Sequence, residues 1–266
     1  MDKEHKSTLK AIIAIPVVIA LIFVALFAYS GIWPPLVVVD SESMQHGEES
    51  SIGTIDTGDI VIIKKTDSFE DITTYVEGLS TGYKTYSGHG DVIIYNSEYL
   101  NKSIIHRAII KLEYDESTNT FSAPSLKDIN ENLWEADGGH SYSGLKNEII
   151  IKNVSYTDSR EIIINLKNIL FDMGSDPHGG IVTMGDGNSR IDQNSGISDL
   201  VEEKDISGKA RGEIPWFGIV NLLANGHDLS DIPQNSKTDF VIALVLIIGV
   251  PIGLSEIIDY RKKKFR

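Results

Sequence analysis

"SIIHRAIIKLEY", residues 103–114, decides the fold class. It is rich in β-branched residues and holds no glycine or proline, which is the composition of a strand. Four more runs read the same way: "GDIVIIKK" (58–65), "GDVIIYN" (90–96), "NEIIIKNVSY" (147–156) and "GGIVTMGDGN" (179–188), each bounded by Gly, Asp or Asn. The chain is therefore expected to be mostly β. The two Gly-Asp strand starts read as turn chemistry only. A helix is expected over Ser159–Met173, where apolar residues fall at mixed helical spacing. From 113 to 147 the chain turns polar and loses its periodicity, as an inserted subdomain or a mobile surface does. A second polar insertion covers Thr66–His89.

The two ends differ in kind from this body. No residue from Ala11 to Val39 is charged, and Ala11–Phe27 is almost purely aliphatic. Roughly 20 such residues in a helix cross a hydrocarbon core. A retained anchor over 11–31 is the reading, with a cleaved secretory signal as its alternative. Phe240–Ser255 is a second uncharged run, interrupted by Pro251 and Gly253 and followed by "EIIDYRKKKFR". It predicts a second transmembrane helix over 239–258 and a basic tail over 259–266. Of the formal net charge of −14 over 266 residues, residues 1–10 carry +1 and residues 256–266 carry +3, leaving −18 for the body. Short basic tails stay cytoplasmic. Both termini are then inside, and residues 32–238 form one extracytoplasmic domain with insertions at about 66–89 and 113–178. So acidic a body repels nucleic acid, which is excluded as a partner. The absence of cysteine excludes disulfides and thiolate metal sites. No cofactor or metal is expected.

Chemistry concentrates in three places. "VVVDSESMQHG" (37–47) ends a valine run in an acid and two serines. A serine hydroxyl becomes a nucleophile only when a positioned base takes its proton. Of the seven histidines, His106 stands apart, because its ring leaves a strand in the middle of a core-forming run. By default such a histidine is structural. Arg107 next to it points to the opposite face. The third place is "TMGDGNSRIDQ" (183–193), a strand, a glycine turn and two aspartates, Asp186 and Asp192. Such an oxygen-rich loop also suits a cation or a structural turn, although it lacks EF-hand spacing.

In order along the chain, "SESM" (41–44), "GDIVII" (58–63), "GDVIIY" (90–95), "IIHRAI" (104–109) and "GDGNSRID" (185–192) resemble the boxes of type I signal peptidases, in the archaeal and endoplasmic-reticulum branch. "GKARGEIPWFGIVNLL" (208–223) is similar to that family's strand after the last box. Together these pieces cover less than half of the chain. Two positions depart from the family pattern: His46 stands where a proline is usual, and the loop reads Met184-Gly185-Asp186-Gly187-Asn188 where Lys-Gly-Asp-Asn-Asn is common. Gly187 then makes its turn more flexible.

The resemblance implies a signal-peptidase-like β catalytic domain. It makes Ser43 the nucleophile and His106 the general base, in place of the lysine of the bacterial branch. It makes Asp192 the acid that orients the imidazole, with Asp186 supporting the loop or sharing that role. Ser41 leaves the same strand on the same face as Ser43, so its hydroxyl would join the Ser43 N–H in an oxyanion hole. The implied activity is a serine endopeptidase of the cell membrane that removes signal peptides after small residues at −1 and −3. Its implied partners are secretory preproteins, the lipid bilayer and the secretion translocon. Two other readings keep the same anchors: a non-enzymatic envelope module such as an adhesin, and a related protease with pilin-like or matrix substrates.

Overall fold

The computed structural model describes residues 3–155 and 160–264. Helix α1 (Lys3–Ser30) leads into a short strand β1 (Leu36–Val38), and strand β2 (Ile60–Lys64) follows. Helix α2 (Tyr75–Thr81) and the two-residue strands β3 (Lys84–Thr85) and β4 (Gly88–His89) come next. The long hairpin of β5 (Val92–Ser97) and β6 (Lys102–Asp115) is the spine of the domain. Strands β7 (Thr120–Ser122), β8 (Trp134–Ala136), β9 (Glu148–Lys152) and β10 (Glu161–Asn165) then lead to helix α3 (Leu166–Met173). Strands β11 (Gly180–Met184) and β12 (Ile206–Ile214), helix α4 (Ile219–Ala224) and helix α5 (Gln234–Lys264) complete the chain.

All strand pairs are antiparallel. A seven-stranded sheet runs β1-β2-β12-β5-β6-β11, with β7 on the far part of β6. β1 is an edge strand, and a second sheet runs β10-β9-β8. Helix makes up 35% of the chain and strand 28%, so the fold is mixed α/β rather than mostly β. The terminal helices, 28 and 31 residues long, account for much of the difference.

The expected helix over Ser159–Met173 is half strand; Ser159 itself lies outside the described residues. Residues 161–165 read "EIIIN" and alternate, with Ile162 and Ile164 buried and Ile163 half exposed. The β-branched run favours the pleated surface over a helix. Helix starts only at Leu166, after Asn165, whose side chain accepts the Asn168 N–H as an N-cap. The polar segment after 113 carries β7 and β8 and contributes Phe121, Leu126, Ile129 and Leu145 to the apolar core. One apolar cluster joins Ile109 and Ile110 of β6 to Trp134 of β8, Ile149 and Ile151 of β9, and Ile162 and Ile164 of β10.

The Gly-Asp strand starts also do more than turn. Asp59 accepts the N–H groups of Asp56 and Trp216, and burial, with Asp56 and Glu213 nearby, pushes its carboxyl up to about 7. Asp91 holds the Thr73 N–H, the Tyr83 hydroxyl and Arg211. Each clamps a strand start to a distant loop.

Among the described residues one helix is long and apolar enough to cross a membrane, α5 over Gln234–Ser255. It begins before the expected boundary at 239 and passes Pro251 without a break. The corresponding apolar part of α1 is shorter, Pro16–Ser30.

Trp134→Ala is expected to lower the unfolding free energy by about 3–5 kcal/mol, because it empties the junction of the two sheets. Denaturant titration of the purified protein measures it. A loss under about 1 kcal/mol, the size of a surface change, would show that the second sheet hangs loosely on the first.

Candidate active site

Ser43 does not sit on the strand. The chain leaves β1 through Asp40 and extended Ser41, and Glu42–Met44 closes a 3₁₀ turn with the Gln45 N–H on the Glu42 carbonyl at 3.0 Å. Met44 is the anchor of this turn, buried in a cluster with Val39, Ile55 and Val61. Its burial leaves Ser43 partly exposed at the surface of the turn. Ser41 still meets Ser43, hydroxyl to hydroxyl, at 3.2 Å, but through the turn rather than along one strand face.

His106 and Arg107 are neighbours on β6, opposite Ile93 and Val92 of β5. On the other side of β6, Arg107 faces Met184, the last residue of β11. The loop that follows β11 therefore starts directly beside these two side chains. It delivers one aspartate to each face. Asp192, in a 3₁₀ turn after the loop, accepts from His106 Nδ1 at 2.7 Å and from the Tyr95 hydroxyl at 2.7 Å. Asp192 and Tyr95 are fully buried. Gln193 stitches the same turn back to β11 by accepting the Thr183 N–H at 3.1 Å.

Asp186 takes the other face. Arg107 Nε and Nη2 donate to its two oxygens at 2.7 and 2.5 Å, and His46 Nε2 lies 2.8 Å from Oδ2. Arg107 is fully buried, and its remaining donors reach the carbonyls of Thr85, Tyr86, His89 and Gly90. The polar insertion at 66–89 thus supplies most of an oxygen cage for one guanidinium. Burial alone would raise the Asp186 carboxyl, but Arg107, with His46 added, outweighs it and holds the group below the usual carboxylate range.

The 185–188 loop packs on the Ser43 turn with no room for side chains. A Cβ on Gly185 would lie 2.3 Å from the Ser43 carbonyl oxygen and 2.9 Å from His106 Nε2. One on Gly187 would lie 2.8 Å from the Gln45 carbonyl oxygen. Gly187 serves close approach rather than flexibility, and its N–H donates to the Ser43 carbonyl at 2.9 Å. Ser43 and His106 line one cavity of about 360 Å³, whose walls include Val37–Val39, Ile104 and Ile105. Among the described residues no hydrogen bond joins Ser43 Oγ to His106. The Ser43 bond goes to Ser41, and the imidazole bond goes to Asp192.

All five residues singled out in the sequence, Ser41, Ser43, His106, Asp186 and Asp192, meet around this loop. The two aspartates divide: Asp192 touches His106, and Asp186 touches Arg107 and His46. Three further residues complete the constellation. Arg107 announced itself as a cation in an apolar run, which demands a buried partner. His46 stood at a departure from the family pattern. Tyr95 gave no signal that separates it from a core aromatic. No cluster of metal-ligating side chains occurs among the described residues. Neither a family model nor a curated protein matches the chain.

Asp186→Asn leaves a buried guanidinium without its counter-charge. It is expected to cost about 3–5 kcal/mol, far more than a loop substitution. Because the folded-state carboxyl lies below its unfolded value of about 3.9, the pair contributes stability that is complete above about pH 4 and is lost as pH falls through the folded value. Melting temperatures of wild type and variant between pH 7 and pH 3 measure both effects. The variant should start lower and lose less on acidification.

Proposed function

We propose that the chain is a membrane-bound serine endopeptidase that removes signal peptides from exported preproteins, cutting after small residues at −1 and −3. The observation that carries this reading is the buried His106–Asp192 pair, with the other nitrogen of the ring beside Gly185 and with Ser43 on the wall of the same cavity. A carboxylate on Nδ1 selects the tautomer that leaves Nε2 able to accept a proton. In a non-enzymatic envelope module, nothing requires a serine on the wall of the cavity that this imidazole lines.

The steps follow from the same atoms. Nε2 takes the Ser43 proton as Oγ attacks the scissile carbonyl, and the alignment tightens when substrate fills the cavity. The Ser43 N–H and the Ser41 hydroxyl stabilise the oxyanion. Asp192 stabilises the imidazolium, which protonates the leaving amine. Water then attacks the acyl-enzyme, His106 again acting as base. The substrate adds as a strand beside the free edge of β1 and is held by main-chain hydrogen bonds. The valine-lined cavity beside it takes the small side chains before the cut.

In this reading α1 and α5 both span the bilayer with their tails in the cytoplasm. Ser43 lies about a dozen residues beyond α1, near the level at which a signal peptide leaves the bilayer and the translocon. In intact cells both tails should be protected from external protease, and digestion of the C-terminal "RKKKFR" from outside would refute the second span.

Ser43→Ala should abolish cleavage of a model preprotein at an unchanged melting temperature, and His106→Ala should abolish it in a protein that still folds but melts lower, because the change leaves buried Asp192 without its imidazole partner. Asp192→Asn should lower turnover on the order of ten-thousandfold, by favouring the wrong tautomer. Full activity in Ser43→Ala would overturn the reading.

A further inference from the structure

Ser43 lines a second cavity, larger than the first. It measures about 940 Å³ and shares only Ser43 and Asn188 with the apolar one. Most of the side chains that line it are polar: Gln45, His46 and Glu48 follow the serine on one side, and Gln234 and Lys237 in the first turn of α5 stand on the other, beside Ile232 and Pro233. Resting on the endopeptidase reading, we infer that this cavity receives the residues directly after the cut, the start of the mature protein, and that it selects basic over acidic side chains there.

A polypeptide cleaved at Ser43 must pass the serine in both directions. The leader side is drawn to the edge of β1 and its valine-lined cavity. The other direction opens into the polar cavity, which suits the polar start of an exported protein. Four charged side chains line it: Glu42, Glu48, Asp186 and Lys237. Asp186 is neutralised by Arg107, and Lys237 Nζ is tied to the Leu229 carbonyl at 2.6 Å. Glu42 and Glu48 are exposed and carry no ion pair among the described residues. They leave the wall beside the serine negative. A lysine or arginine just after the cut gains from that field, and an acid is repelled.

The test uses the full-length protein in lipid vesicles and model preproteins that are identical through −1. They carry Lys, Ser or Glu at both +1 and +2. In wild type, kcat/KM for the Lys substrate should exceed that for the Glu substrate about fivefold, the size of one or two exposed charge pairs. The ratio should shrink at high salt. Glu48→Lys should bring it to about one or invert it, and Lys237→Glu should widen it. A wild-type ratio near one, or a ratio unmoved by Glu48→Lys, overturns this inference while leaving the endopeptidase reading intact. No cleavage of any substrate in the series overturns both.

Discussion

A guanidinium fully removed from water in the middle of β6 constrains everything around it. Arg107 cannot lose its charge by deprotonation, so the fold must bring a carboxylate and several carbonyl oxygens to it. Asp186 supplies the charge, and the 66–90 segment supplies the oxygens. Meeting that demand closes the segment over one face of the sheet and draws the loop after β11 against β6. The same carboxylate also holds His46, which lies three residues past Ser43. The 41–46 turn, β6 and the loop after β11 are thereby fastened at one ion pair. A pair of this kind is weak evidence of net stability, because desolvation opposes it, but removing one partner is expensive. It thus acts here chiefly as a device of position.

With that pair in place, the His106–Asp192 pair of the other face follows from strand geometry. Adjacent residues on a strand point to opposite sides, so His106 and Arg107 need two different acids. The loop after β11 reaches one side with Asp186 and, six residues on, the other with Asp192. The glycines at 185 and 187 let the Ser43 turn lie directly on this loop, at distances where any Cβ would collide. Serine, imidazole and carboxylate are then neighbours although they stand on three separate segments. The two cavities that meet at Ser43 follow from the same crossing. One opens toward the edge of β1, and the other opens toward the first turn of α5.

Much of this was legible in the residues. Five isoleucine- and valine-rich runs marked β2, β5, β6, β9 and β11, because β-branched alternation is a local property. The apolar ends marked two long helices for the same reason. The order of the serine, histidine and aspartate boxes pointed to the constellation before any distance was known. Other features escaped. At 161–165 a β-branched run was mistaken for the start of a helix, since mixed apolar spacing fits both periods over a short window. The 113–147 segment showed no periodicity because its buried residues, Phe121, Ala123, Leu126, Ile129, Trp134 and Leu145 among them, fall at irregular spacing.

By itself, the sequence determined five of the strands, the apolar terminal helices, the acidic body and the candidate serines, histidine and aspartates. All of these depend on local pattern or on composition. Only the tertiary structure decided which aspartate meets which side chain. That choice turns on the register of β11 against β6 and on which face of the sheet each carboxylate reaches. It also decided that Ser43 rides on a turn, that Gly185 and Gly187 permit contact rather than motion, and that the polar insertion at 66–89 cages Arg107. These are facts of long-range packing, set by where a buried charge can find its partners, and no local stretch of chain contains that information.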